Sequence, residues 1–98
     1  MGQNFLTDKK VLKQIIEAAC LNSQEIVLEV GPGLGILTKE LAEKAGKVIA
    51  VEKDKKLVKI LKEELRDYGN VEIVEGDILK KPQIKESNKI VANIPYYL

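Results

Sequence analysis

Histidine is absent from this 98-residue chain, and cysteine occurs once, at Cys20. An intrachain disulfide is thereby excluded, as is a histidine–cysteine cluster of the kind that holds a metal. Cys20 sits beside Ala18, Ala19 and Leu21, which predicts the small buried hydrophobe that a free cysteine usually is. A surplus of one charge is lacking too. The 16 basic and 15 acidic residues leave a net charge of +1, so the total charge gives no reason to expect a nucleic-acid partner. The lysines that do cluster, Lys53–Lys62, fall at helical spacing and read as a solvated helix face. Met1-Gly2-Gln3-Asn4 lacks the charged and apolar regions of a signal peptide, and no apolar run approaches the roughly 18 residues of a membrane span. The expectation by default is a chain of the cytoplasm. Neither an internal repeat nor a low-complexity linker divides it. What is present, 45% hydrophobic and 32% charged residues, is the balance of one folded globular domain rather than of a disordered segment.

Hydrophobic spacing orders the chain. Leu12, Ile15, Ile16 and Ala19 recur at helical period, with Asp8 placed to cap the first turn. Ile26–Val30 is a β-branched run that stops at a glycine cluster and reads as a buried strand. Leu34, Leu37 and Leu41 mark one face of a following helix, with Gly46 at its expected C-cap. Val48–Val51 reads as a second strand. Asp54 caps a further helix that carries Leu57, Ile60, Leu61 and Leu65 inward. Val71–Val74, after the turn Gly69-Asn70, is a third strand, and Ile90–Ala92 a fourth. Lys80–Asn88 is polar and aperiodic, a loop with at most a turn of helix. Strands alternating with helices predict an α/β fold of right-handed βαβ units, with a parallel sheet covered on both faces. The fourth strand closes near the end of the sequence, so the chain reads as truncated, its last strand offering an edge for self-association.

Chemistry-bearing residues stand at the ends of those strands. Glu29-Val30-Gly31-Pro32-Gly33-Leu34-Gly35 joins the first strand to the next helix, where glycines permit a tight turn and close approach of a ligand to the helix's positive end. The same turn could serve packing alone. A dinucleotide fold wants G-x-G-x-x-G, and Ile36 occupies the position of its last glycine. Glu29 would repel a pyrophosphate but could accept a hydrogen bond from a cationic amino group, which favours a nucleoside carrying an amino acid. Glu52 ends the second strand about 20 residues beyond Gly31, the place from which a carboxylate receives ribose hydroxyls, or merely caps the next helix. Asp77 follows the third strand and could accept from the exocyclic amine of an adenine, or be a turn aspartate. Asn93-Ile94-Pro95-Tyr96 follows the fourth. There the Asn93 amide oxygen and the Ile94 carbonyl could accept both N–H bonds of an amino nitrogen and align its lone pair. Pro95 would fix the turn and Tyr96 stack on a flat base. The blander alternative is a strand leaving the sheet through a proline turn. Ligands of open α/β sheets bind at these carboxyl ends.

Taken together, Gly2-Gln3-Asn4-Phe5-Leu6, the Glu29–Gly35 turn with Ile36-Leu37-Thr38, Glu52, Gly76-Asp77 and Asn93–Tyr96 resemble the ribosomal RNA adenine N6,N6-dimethyltransferase family. The likeness covers nearly the whole chain in order and spacing. It implies the N-terminal half of a Rossmann-like class I methyltransferase fold, with strands in the order 3-2-1-4. Residues 1–22 would be an N-terminal motif and helix, and 23–98 the βαβ core. It also implies S-adenosylmethionine as cofactor, held by Asn4, Leu6, Gly31, Glu52, Asp77 and Asn93, with Glu29, Gly33 and Gly35 completing the turn. Asn93, Pro95 and Tyr96 would form the catalytic strand end that holds the target adenine. The implied reaction is dimethylation of adenine N6 in small-subunit ribosomal RNA or a pre-ribosomal particle, away from any membrane, with this piece inactive alone. Erythromycin-resistance methyltransferases share the plan, but their residues after the glycine turn tend to be more polar than Leu34–Thr38. Relatives acting on DNA or on protein glutamine commonly carry a second proline where Ile94 stands. A noncatalytic cofactor-binding fragment is the alternative outside the enzymes. Family members usually have a basic stretch before Gly2, and none is present here.

Overall fold

The computed structural model of the chain describes residues 9–80 and 89–92. In order these form helix α1 (Lys9–Ala19), strand β1 (Ile26–Val30), helix α2 (Ile36–Lys44), strand β2 (Lys47–Glu52), helix α3 (Lys55–Glu64) and strand β3 (Val71–Glu75). A 3₁₀ turn (Ile78–Lys80) and strand β4 (Lys89–Ala92) follow. All three strand pairings are parallel and the spatial order is β3-β2-β1-β4, as the sequence predicts. The register is continuous across the sheet. Val27 pairs with Val48 and with Lys89, and Val48 pairs with Val71.

Side chains alternate between faces along each strand. One face sets Val27 and Val48 against Leu12 of α1 and Leu37, Leu41 and Ala42 of α2 in a single core. Since β1, β2 and β3 follow one another in one direction, right-handed crossovers put α2 and α3 on the same side. The two helices meet where Gly35 lies under Leu61 and Leu65. The other face, built on Leu28, Ile49 and Val51, packs with Ile26, Val30, Val74 and Ile78. This face is buried as well, and among the described residues the 3₁₀ turn reaches it through Ile78. No described helix is long and apolar enough to cross a membrane.

Asp54 caps α3 as predicted, its Oδ1 accepting the N–H of Lys56 at 2.9 Å and of Leu57 at 3.4 Å. Several other expectations are corrected. Leu34 precedes α2 and is 59% exposed, because the helix begins only after the last glycine of the turn. Along α3 and its C-cap the buried residues are Val58, Leu61 and Leu65 while Ile60 is exposed, since the i, i+3, i+7 arc is the one facing the sheet. Cys20 is exposed with a φ of 51° just past α1, a position that terminates the helix rather than filling the core. The C-cap of α2 is Ala45, in extended conformation. Gly46 after it is needed for a different reason: a Cβ there would strike the carbonyl oxygen of Ser23. Asp8 and most of the Lys80–Asn88 segment lie outside the described residues.

Candidate functional site

Four strands end together at the carboxyl edge of the sheet, with Val30 beside both Val51 and Ala92, and Glu52 beside Glu75. The turn that leaves β1 there is left-handed at Gly31 (φ 70°), Gly33 (φ 61°) and Gly35 (φ 84°), conformations in which a Cβ would be strained. Backbone bonds tie it down: Gly31 N–H donates to the Val51 carbonyl at 2.9 Å and Gly35 N–H to that of Pro32 at 3.0 Å. The glycines then differ in use. A Cβ on Gly33 would meet nothing within 4 Å, so that position borders open space, whereas one on Gly35 would press on Leu61 at 3.0 Å. Gly33 leaves room for a ligand, and Gly35 lets α2 approach α3. Gly35 is also the N-cap of α2 and supplies no capping side chain, which leaves the helix's positive end to other partners.

Glu52 is 7% exposed. Its two oxygens accept backbone N–H groups on either side, Oε1 from Gly33 at 3.4 Å and Oε2 from Asp54 at 3.0 Å. The carboxylate is therefore oriented between the glycine turn and the start of α3. Its backbone carbonyl receives the N–H of Gly76 at 3.0 Å, which brings Asp77 to the neighbouring strand end. Asp77 Oδ1 accepts the N–H of Leu79 at 2.9 Å and so shapes the 3₁₀ turn while its carboxylate stays partly exposed.

Glu29 is fully buried, and its Oε1 accepts a hydrogen bond from the hydroxyl of Thr38, itself fully buried in the first turn of α2. It is thus positioned beneath the turn rather than at the surface beside it. Of the residues singled out from sequence, Glu29, Gly31, Gly33, Gly35, Glu52 and Asp77 converge at this edge. Asn4, Leu6, Asn93, Pro95 and Tyr96 lie outside the described residues, although Asn93 directly follows Ala92, the partner of Val30.

Sequence reasoning missed three positioning residues. Thr38 was legible as a polar residue on the apolar side of α2, between Leu37 and Leu41. Asn70 donates its side-chain N–H to the carbonyls of Ala42 at 2.8 Å and Ala45 at 3.3 Å, capping α2 from the far side of β2. Lys89 donates to the carbonyls of Ala19 at 2.6 Å and Cys20 at 2.8 Å and pairs with Glu25 at 3.2 Å. No local pattern announces either of the last two, because both act across long stretches of sequence. A cavity of about 800 Å³ also opens between α1 and α2, over Leu12, Ile16, Ile36 and Tyr68. None of the acidic strand ends lines it. Among the described residues no group of histidine, cysteine, aspartate or glutamate could hold a metal.

The sequence profile of the ribosomal RNA adenine dimethylases matches residues 1–98. The chain is 50% identical over 98 residues to a probable ribosomal RNA small subunit methyltransferase A of Thermococcus sibiricus, matching 100% of this chain and 35% of that protein. Among solved structures it is similar to a dimethyladenosine transferase from Plasmodium falciparum, with a TM-score of 0.81 and 37% identity over 92% of this chain and 33% of the other. The 23S rRNA methyltransferase ErmE superposes with a TM-score of 0.72 and 44% identity, over 74% of this chain and 30% of the other. The chain spans about a third of the length of the proteins it matches.

Proposed function

The chain belongs to the ribosomal RNA adenine dimethylase family, and from that premise we propose that it forms the cofactor-binding part of an enzyme that methylates adenine N6 in small-subunit ribosomal RNA. The observation that carries the reading is the oriented Glu52 carboxylate beside the open space at Gly33. An anion fixed at the end of the second strand suits the two hydroxyls of a ribose. The uncapped start of α2 suits the carboxylate of an amino acid. Asp77, one strand further out, suits the exocyclic amine of an adenine. These groups fit S-adenosylmethionine, which when bound supplies an electrophilic methyl on a sulfonium centre.

What remains for the chain's own residues is placement. The lone pair of an adenine amino nitrogen is delocalised into the ring. Asn93 and the Ile94 carbonyl would accept its two N–H bonds and turn the lone pair toward the methyl in line with the breaking carbon–sulfur bond. Tyr96 would hold the base by stacking, with Pro95 setting the backbone. Catalysis of this kind rests on orientation, worth up to about 7–11 kcal/mol in favourable intramolecular cases. Asn4 and Leu6 complete the proposed cofactor contacts.

Calorimetric titration with S-adenosylmethionine and S-adenosylhomocysteine tests the reading. Saturable binding is expected, reduced about tenfold or more in Glu52→Ala, the cost of an interaction near 1.4 kcal/mol. A folded chain that binds neither compound, or binds them equally well without Glu52, would overturn it. The likeness to ErmE favours a second reading, a large-subunit RNA substrate. The apolar run Leu34-Gly35-Ile36-Leu37 argues against it, and methyl transfer to 23S rather than small-subunit RNA would establish it. Self-association through β4 belongs to the same set of proposals, since Ile90 on that strand is 69% exposed.

A further inference from the structure

Glu29 places its carboxyl group where water does not reach. It is 0% exposed, as is Thr38, whose hydroxyl donates to its Oε1. A carboxylate is retained in such a site only where its surroundings compensate the charge. Part of the compensation is visible. Gly35 is the N-cap of α2 and Thr38 the third residue of the helix, so the anion sits against the positive end of a helix that lacks a side-chain cap. The bond between the two side chains also closes the loop formed by the glycine turn, linking Glu29 on the strand before it to Thr38 in the helix after it.

A positive helix end with a fixed anion one turn away is a charge pattern complementary to a zwitterion. The amino-acid end of the proposed cofactor is such a group, and its other end, an adenine nucleoside, is not. We propose that Thr38 is a positioning residue for that end of the ligand: its hydroxyl holds the Glu29 carboxylate beneath the turn, where it is the countercharge to the ligand's ammonium. The inference rests on the cofactor reading above. Thr38 touches no ligand atom in this account and acts through Glu29.

A role confined to stability would weaken every ligand alike, so the test compares two. S-adenosylhomocysteine carries the amino acid; 5′-methylthioadenosine has the same nucleoside without it. Titrating both into the chain, Thr38→Val is expected to weaken S-adenosylhomocysteine about tenfold, the scale of one hydrogen bond to a charged group. Methylthioadenosine should stay within about twofold, the usual error of independent effects. Thr38→Ser, which keeps the hydroxyl, should restore both affinities. Glu29→Gln should reproduce the selective loss, and adding Thr38→Val to it should cost nothing more. The proposal falls if Thr38→Val weakens both ligands equally or neither. It also falls if Glu29→Gln leaves the ratio of the two affinities unchanged, a comparison that stands even where the valine variant does not fold. Should the unsubstituted chain bind neither compound, the cofactor reading itself fails and this inference with it. Binding of both with no preference for the amino acid would sink this inference alone.

Discussion

Two glycines separate the demands of folding from those of binding. Gly46 lies where any Cβ would collide with the Ser23 carbonyl oxygen, and its φ is not left-handed. Gly46→Ala should therefore cost about 2 kcal/mol through overpacking, read as a lower urea midpoint, with ligand affinity unchanged in the molecules that remain folded. Gly33 is the converse. Its φ of 61° makes alanine costly by about 1 kcal/mol, yet a methyl there touches nothing in the protein. Gly33→Ala should lower the midpoint less than Gly46→Ala does, while reducing S-adenosylhomocysteine affinity more than about tenfold, since the methyl enters the space assigned to the ligand. Equal affinity losses in the two variants would show that Gly33 does not border the site.

Among the elements, α3 is held by its cap and its arc of buried residues. Asp54→Ala removes both cap bonds and should lower stability by about 1 kcal/mol, roughly a 5 °C fall in melting temperature for a chain of this size. Asp54 was legible because an N-cap is a local device, written within four residues. The strands were legible for the same reason: β1 runs over the predicted residues, and β2, β3 and β4 differ only by added end residues such as Lys47, Glu52, Glu75 and Lys89. Ile60 was not, because α3 carries four apolar residues and only the sheet decides which arc is buried. Cys20 misled through its alanine neighbours, whereas its conformation is set by the end of α1. Glu29 was recognised as part of the site but not as interior to it. The sequence does not say that Thr38, nine residues on, turns back to meet it. Lys89 ties β4 to the end of α1 by bonds that span most of the chain. Lys89→Met should speed amide exchange in β4 while leaving α3 unaffected.

At the scale of the molecule, the three described α-helices lie on one side of the sheet, and the buried residues Leu28, Ile49 and Val51 lie on the other with Ile78 of the 3₁₀ turn. On the same side as Leu28, its register partner Ile90 is 69% exposed. A sheet edge with exposed apolar residues is prone to pair with another. Sedimentation of the chain should show association that grows with concentration, and Ile90→Lys should suppress it. A monomer at every concentration would remove the proposed self-association without touching the cofactor site.

The strand order also has a history in time. β1, β2 and β3 are joined by neighbouring units, so each pairing closes a short loop. β4 must instead find β1 from the opposite side, with Leu28 meeting Ile90 across most of the sequence. Loop closure is slower and entropically costlier for the distant pair. In pulse-labelled hydrogen exchange during refolding, the amides of β2 and β3 should be protected first and those of Lys89–Ala92 last. The glycine turn and Glu52 would then be assembled before the strand that leads to Asn93 arrives, so that a folding chain forms the proposed cofactor pocket earlier than the strand end proposed to hold the base.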